Sequence, residues 1–287
     1  VWAADFSPGW QSKANNSARE SVRINPRRTI PRDEVSVHHL GLTRSNLHSD
    51  HLLQTPDTFV RTPLPGADGV QFIVHASPQL GAAFTQMTAE FGPGGTLGPA
   101  VAQRFIYVLE GELELHTEIG DHTLGARGFA YLTDRAAHTV RARGVARAAV
   151  IEKPYEPFAE AQPQITVGNE AGIADVFLMG DSGLRVRSLM PDGPAYDFAV
   201  NTMTYDPGAA LSMVEIHVME HGLLMLEGGG IYRLGDVWYP VEAGDFIWMA
   251  PYCPQWFGAI GKQPAKYLIY KDWRRHPLRP HDESRNP

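Results

Sequence analysis

The sequence predicts an all-β protein built of two tandem barrels of the jelly-roll type, and three observations carry that prediction. From about residue 56 onward, short alternating or apolar runs are separated by Gly, Pro and Asp, the punctuation of strands and tight turns, while helical periodicity is scarce. Tyr107-Val108-Leu109-Glu110-Gly111 recurs as Leu224-Met225-Leu226-Glu227-Gly228, an offset of 117 residues. The downstream spacing agrees: Gly128-Phe129-Ala130-Tyr131-Leu132 begins 17 residues after Gly111, and Gly244-Asp245-Phe246-Ile247-Trp248 begins 16 after Gly228. A unit of that length made of short strands is too long for a solenoid repeat and suits a small jelly roll, which hides its strand edges by closing two sheets together.

Each segment has its own signature. Residues 1–40 are polar and rich in breakers, including Ser7-Pro8-Gly9 and Asn25-Pro26-Arg27-Arg28, and read as an arm that drapes on something rather than a core of its own. Residues 41–160 then form the first barrel and residues 161–287 the second. The join lies near residues 152–172, where Lys153-Pro154-Tyr155-Glu156-Pro157 and Gln162-Pro163 interrupt the pattern and the prolines block ladder pairing.

Composition narrows the function. The 287 residues carry 25 Lys and Arg against 32 Asp and Glu, a net charge of −7, so there is no basic footprint for a phosphate backbone and nucleic acid is not an expected partner. No apolar run approaches the roughly 18–20 residues of a membrane span. The single cysteine, Cys253, excludes an internal disulfide framework and reads by itself as a small buried side chain. With no basic segment followed by an apolar one, the expected location is cytoplasmic; Val1 leaves processing or truncation open.

The chemistry concentrates in Glu215-Ile216-His217-Val218-Met219-Glu220-His221-Gly222. In an extended strand side chains alternate, so Glu215 and His217 share one face, His221 can join them after a short turn, and Ile216 and Val218 turn the other way to pack. Glu220 has the opposite parity to the ligands and is expected in solvent. A fourth donor from a distant strand would be Gln255, after the turn Pro251-Tyr252-Cys253-Pro254. Two imidazoles with carboxylate and amide oxygens suit Mn(II) or Fe(II) better than a thiolate set would, and open positions favour manganese modestly over iron, zinc or nickel. The bare pattern also fits two strand histidines bonded to carbonyls or water.

Glu215 through Gly222, then Leu226-Glu227-Gly228-Gly229-Gly230-Ile231-Tyr232-Arg233-Leu234, resemble the metal half of the bicupin (S)-ureidoglycine aminohydrolases. Trp248-Met249-Ala250-Pro251, Pro254-Gln255-Trp256 and Tyr267-Leu268-Ile269-Tyr270-Lys271-Asp272 continue the resemblance, and Leu53-Gln54-Thr55-Pro56-Asp57 and Leu64-Pro65-Gly66 extend it towards the N-terminus, over about residues 40–278. It implies two tandem cupin barrels, a bound Mn2+ and release of ammonia from (S)-ureidoglycine to give (S)-ureidoglycolate in purine (allantoin) degradation. By position the metal ligands would be Glu215, His217, His221 and Gln255, the substrate contacts Tyr232, Tyr267 and Lys271, and the catalytic groups Glu215 as proton carrier and Lys271 as cation. Against the general cupin pattern Glu215 and Gln255 stand for histidines and His221 for a glutamate, as in the aminohydrolases. That swapped set counts against an oxalate-type dioxygenase or decarboxylase, and a non-catalytic bicupin binding a small ligand is the third class.

In the first copy the same offset sets Gly98, Ala100 and Arg104 at the positions of Glu215, His217 and His221, so no metal is expected there, and His138 beside the Gln255 position reads as packed or solvated. Taken singly, Tyr232 reads as a cross-strand aromatic and Lys271 as part of a solvated charged stretch with Arg274 and Arg275. Trp238, Trp248, Trp256 and Phe257 read as core or barrel-mouth packing, and His48 and His51 as facing water. The arm and two-barrel layout point to a homo-oligomer acting on a small molecule.

Overall fold

The computed structural model describes residues 42–158, 161–272 and 275. The expected arm at residues 1–40 and Arg274 lie outside the described residues. In chain order the early strands are β1 (Asn46–Leu47), β2 (His51–Gln54), β3 (Arg61–Thr62), β4 (Ala67–Ala76), β5 (Thr85–Leu97), β6 (Gln103–Glu110), β7 (Leu113–Thr117) and β8 (Gly120–Leu124). Next come β9 (Gly128–Leu132), β10 (His138–Ala142), β11 (Ala146–Lys153), β12 (Thr166–Asn169), β13 (Val176–Leu178), β14 (Asp181–Ser188) and β15 (Ala199–Tyr205). The last are β16 (Glu215–Ile216), β17 (His221–Glu227), β18 (Gly229–Leu234), β19 (Val237–Glu242), β20 (Phe246–Met249), β21 (Pro254–Ala259) and β22 (Ala265–Lys271). Helix among the described residues is confined to single 3-10 turns such as Glu170–Gly172, and none is long and apolar enough to cross a membrane.

The first barrel is a sheet in the order β12-β9-β6-β11-β5-β10-β7-β8, with β4 added on β5 and β3 on β4. The second packs an eight-stranded sheet, β1-β2-β20-β17-β22-β15-β14-β13, against a four-stranded one, β16-β21-β18-β19, around one core that includes Leu223, Met225, Tyr267, Ile269, Tyr232 and Phe257.

The duplicated motif is apolar on both faces because both faces are buried. Ile106 and Val108 point into the first barrel, whereas Phe105 and Tyr107 join Leu224, Phe246, Trp248, Leu268 and Tyr270 in a separate core between the barrels. The backbone repeats faithfully. Gly111 and Gly228 both have positive φ, 78° and 65°, and a Cβ on either would collide with a facing carbonyl, of Val145 or Pro264. The N–H groups of Arg127 and Gly244, also 117 apart and both left-handed, donate to the carbonyls of Val108 and Met225, each at 2.9 Å. Register agrees as well: Arg104 pairs with Leu132 as His221 pairs with Met249, and His138 pairs with Thr117 as Gln255 pairs with Leu234.

Two buried ion pairs clamp the join. Lys153 Nζ donates to Asp197 at 2.8 Å, and Lys266 Nζ to Glu170 at 2.7 Å, with the Tyr107 and Thr202 hydroxyls also donating to Glu170. Burial opposes ionisation of Glu170, but the hydrogen bonds from Lys266, Tyr107 and Thr202 overcome it and hold its pKa below the usual carboxylate range. Segments also cross between the barrels. Strand β2, which precedes the first barrel, pairs with β20 of the second through Leu53 and Ile247, and β12, which follows the first barrel, pairs with β9 of the first.

Candidate metal centre

One row across the eight-stranded sheet organises the site. His51, Met249, His221 and Lys271 are successive cross-strand partners on β2, β20, β17 and β22, and directly paired residues share a face. That face is interior, since Leu53, Ile247, Leu223 and Ile269, two residues along each strand, lie in the core of the second barrel. His221 and Lys271 therefore project into the same end of the barrel as the second sheet supplies from the other side.

From that sheet, β16 sets Glu215 opposite Gln255 on β21. Glu215 Oε2 lies 3.1 Å from His217 Nε2, and the His217 and His221 rings meet edge to face with centroids 5.1 Å apart. Gln255 is buried and its Oε1 accepts from the Tyr232 hydroxyl at 2.9 Å. The backbone N–H of Tyr252 donates to the His217 carbonyl at 2.6 Å, tying the turn before Gln255 to the histidine segment. Tyr267 faces the same interior, with its hydroxyl 2.8 Å from that of Tyr205 and 3.3 Å from Met203 Sδ. Glu215 thus lies against His217 and opposite Gln255, His217 meets His221, and Tyr232 and Lys271 adjoin Gln255 and His221.

Electrostatics matches that geometry. Burial, with the Lys271 and His217 charges next, depresses the His221 pKa well below the ordinary imidazole value, and its Nδ1 is buried without a hydrogen-bond partner. Burial lowers the Lys271 pKa while the Glu215 charge works the other way, and burial drives the Tyr232 and Tyr267 hydroxyls well above the usual phenol range. An uncharged buried imidazole beside a second imidazole, a carboxylate and a carboxamide oxygen is a donor set that fits a divalent ion of the manganese or iron type.

Several expectations change. His51 is buried, not solvated, because β2 is an inner strand of the second barrel's larger sheet; His48 is exposed and stacks on it with centroids 4.5 Å apart. Glu220 is also buried: the face opposite the ligands meets the first barrel, where the Glu220 carboxylate accepts from Trp248 Nε1 at 3.0 Å and Ala83 N at 2.8 Å. Ile216 and Val218 turn away from the ligands as expected but meet solvent, since β16 is a two-residue edge strand. Trp248 and Phe257 are core, Trp256 packs against that core, and Trp238 is more than half exposed beneath the Arg233 guanidinium. Tyr205 was not singled out from sequence, although its place at the end of an alternating strand marked it as inward-facing.

At the matching end of the first barrel, Arg104 takes the position of His221. Its Nη1 donates to His138 Nε2 at 2.8 Å and to the Gly98 carbonyl, and its Nε donates to Glu152 at 2.7 Å. Glu152 is the cross-strand partner of Arg104, as Lys271 is of His221. Among the described residues, one trio of acid, histidine and cysteine draws its donor atoms within 4.8 Å of one another: Asp50, His51 and Cys253. The Glu215, His217 and His221 donors are set more widely than that.

Two closed barrels, one with imidazole and carboxylate donors gathered at its mouth, make this a bicupin. The cupin domain family matches residues 201–270, and the crystal structure of protein Ylba from E. coli superposes with a TM-score of 0.74 at 24% identity, covering 84% of this chain and 98% of that one. Two plant proteins are more alike in sequence. The chain is 40% identical to a probable (S)-ureidoglycine aminohydrolase of Oryza sativa subsp. japonica, over 83% of this chain and 78% of that protein, and 39% identical to the (S)-ureidoglycine aminohydrolase of Arabidopsis thaliana, over 83% and 80%. The chain belongs to the (S)-ureidoglycine aminohydrolase family.

Proposed function

We propose that this protein is a Mn(II)-dependent hydrolase that releases ammonia from (S)-ureidoglycine to give (S)-ureidoglycolate in purine degradation. The observation that carries this reading is the meeting of Glu215, His217, His221 and Gln255 at one end of the second barrel, with Lys271 in register beside His221. Those four residues would hold the ion. When bound, manganese would neutralise charge on the substrate and polarise it.

The chain's own groups account for the rest. The reacting carbon bears an amine, a ureido group and a carboxylate, so the reaction exchanges the amine for a hydroxyl from water and needs proton management more than a strong nucleophile. The Lys271 ammonium pairs with the substrate carboxylate or ureido oxygen. Tyr232 and Tyr267 stay protonated and act as hydroxyl donors that orient one enantiomer. Glu215 takes the proton of the entering water and passes one to the departing amine, which leaves as ammonia. The first barrel, with Arg104 at the corresponding place, serves as scaffold. The exposed apolar side chains of Met213, Ile216 and Val218 support a homo-oligomer, and the lone cysteine supports a cytoplasmic setting.

The test is to incubate the Mn-loaded protein with freshly generated (S)-ureidoglycine and follow ammonia release and product chirality against unassisted decay. Accelerated release with a single-enantiomer product is expected. Release no faster than the control, or a racemic product, overturns the proposal.

A further inference from the structure

We propose that Asp50, His51 and Cys253 form a second metal site, separate from the Glu215 centre, that takes a thiolate-accepting divalent ion of the zinc class and fastens strand β2 to the turn that presents Gln255. The three donor atoms already lie within 4.8 Å of one another, His51 and Cys253 are buried, and Asp50 is partly open to solvent, which leaves an entry path. Zinc binds Cys sulfur, His nitrogen and carboxylate oxygen, and three such protein donors leave one tetrahedral position for water.

The surroundings are those of a held ligand cluster. Histidine ligands are oriented through their second nitrogen; here His51 Nδ1 lies 2.8 Å from Asp50 Oδ1, while Nε2 lies 2.9 Å from the Tyr239 hydroxyl, itself a hydrogen-bond acceptor for Asn46 Nδ2 at 3.2 Å. The backbone closes the other side. The N–H of Ala250 donates to the Asp50 carbonyl at 2.9 Å, and Gly235, with φ of 57°, donates to the Pro254 carbonyl at 2.8 Å. A Cβ at Gly235 would press to 3.0 Å from Asp50 Oδ2, so a bare glycine covers the cluster closely. The fourth position would fall to water, admitted from the side on which Asp50 is partly open to solvent.

A nucleophilic Cys-His-Asp triad would need an imidazole nitrogen bonded to the thiol, whereas His51 Nδ1 faces Asp50 and Nε2 faces Tyr239. An ion held by Nδ1, Asp50 and the thiolate would take the place of the proton between Nδ1 and Asp50 and leave the Tyr239 bond intact. Coordination instead displaces the thiol proton to solvent and leaves the carboxylate and imidazole as neutral-pH donors. The chemistry differs from that of the Glu215 centre, whose proposed ligand set offers no thiolate and favours a harder ion.

Cobalt(II) separates the two sites. Metal-free protein titrated with Co(II) should take up two ions per chain by equilibrium dialysis and develop a near-ultraviolet thiolate-to-cobalt charge-transfer band. Cys253→Ser should abolish the band and one of the two ions. Asp50→Ala, at a partly exposed position where misfolding is not expected, should weaken that ion by about 10-fold or more. The double variant His217→Ala, His221→Ala should keep the band and lose the other ion. Wild-type protein with no charge-transfer band at saturating Co(II), or a band that survives Cys253→Ser, overturns the second site whatever happens at the first.

Discussion

The ends of the two barrels have matched backbones and opposite chemistry. In the first, a guanidinium occupies the position that an imidazole holds in the second, and it is satisfied on every side: Arg104 donates to His138, to Glu152 and to the Gly98 carbonyl. In the second, His221 leaves a buried nitrogen unpartnered, and its cross-strand neighbour is the cation Lys271 rather than the anion Glu152. A duplicated frame can thus either close a cavity with a permanent organic cation or keep its donors available. Buried donors without partners cost free energy, and that cost is retained in one copy and removed in the other.

The largest expected effect falls on the open barrel. Glu215→Ala should lower kcat by about 10^3-fold or more, the scale of a lost general acid–base group together with a metal ligand, with the far-ultraviolet circular dichroism unchanged; full turnover would remove Glu215 from the mechanism. Lys271→Met should come next, with kcat/KM down by roughly 10^2-fold, carried mainly by KM, as for loss of a charge-assisted substrate contact. In the closed barrel the readout inverts. Arg104→Met should cost about 3 kcal/mol of stability by stranding Glu152 and His138, measured by denaturant unfolding, while kcat of the folded enzyme stays the same; a large fall in kcat at unchanged stability would show that the first barrel takes part in the reaction.

A smaller, pH-dependent difference separates the strands that end at Lys153 and at Lys271. Beyond Lys271, burial and then the Glu220 charge push the Asp272 carboxyl up to about 7, with Oδ1 unpartnered. A carboxyl raised in the folded state makes the fold less stable as pH climbs from its ordinary value of 3.8 through 7, because the unfolded chain releases that proton first. Asp272→Asn should therefore raise the Tm by ~2–4 °C at pH 8 and by nothing below pH ~4. A gain of equal size at both pH values would refute the assignment.

Much of this was legible in the sequence, for local reasons. The 117-residue repeat, the alternation of Glu215 with His217 and the scarcity of helix are properties of short windows, and the two β barrels and the face shared by Glu215 and His217 followed from them. What escaped was nonlocal. His51 looks solvated because nothing near it announces that its strand will lie beside β20, and it contacts Tyr239, 188 residues away. Strand parity places Glu220 on the face opposite Glu215 and His217, but nothing local says that the first barrel rather than water stands on that face. A single amphipathic pattern tells which sides differ, not what each side will meet.

The placement of β2 bears on how the molecule can be made. As the chain is synthesised, the first barrel can complete its own pairings while β2, already long emerged, has only the two-residue β1 beside it, since β20 has yet to leave the ribosome. For that interval an apolar ribbon containing Leu52 and Leu53 stays available to chaperones or to neighbouring nascent chains. Recombinant production of the C-terminal half by itself would leave β20 with a bare edge, so the shortest fragment able to complete the second barrel needs the residues that come before the first barrel as well as those that come after it.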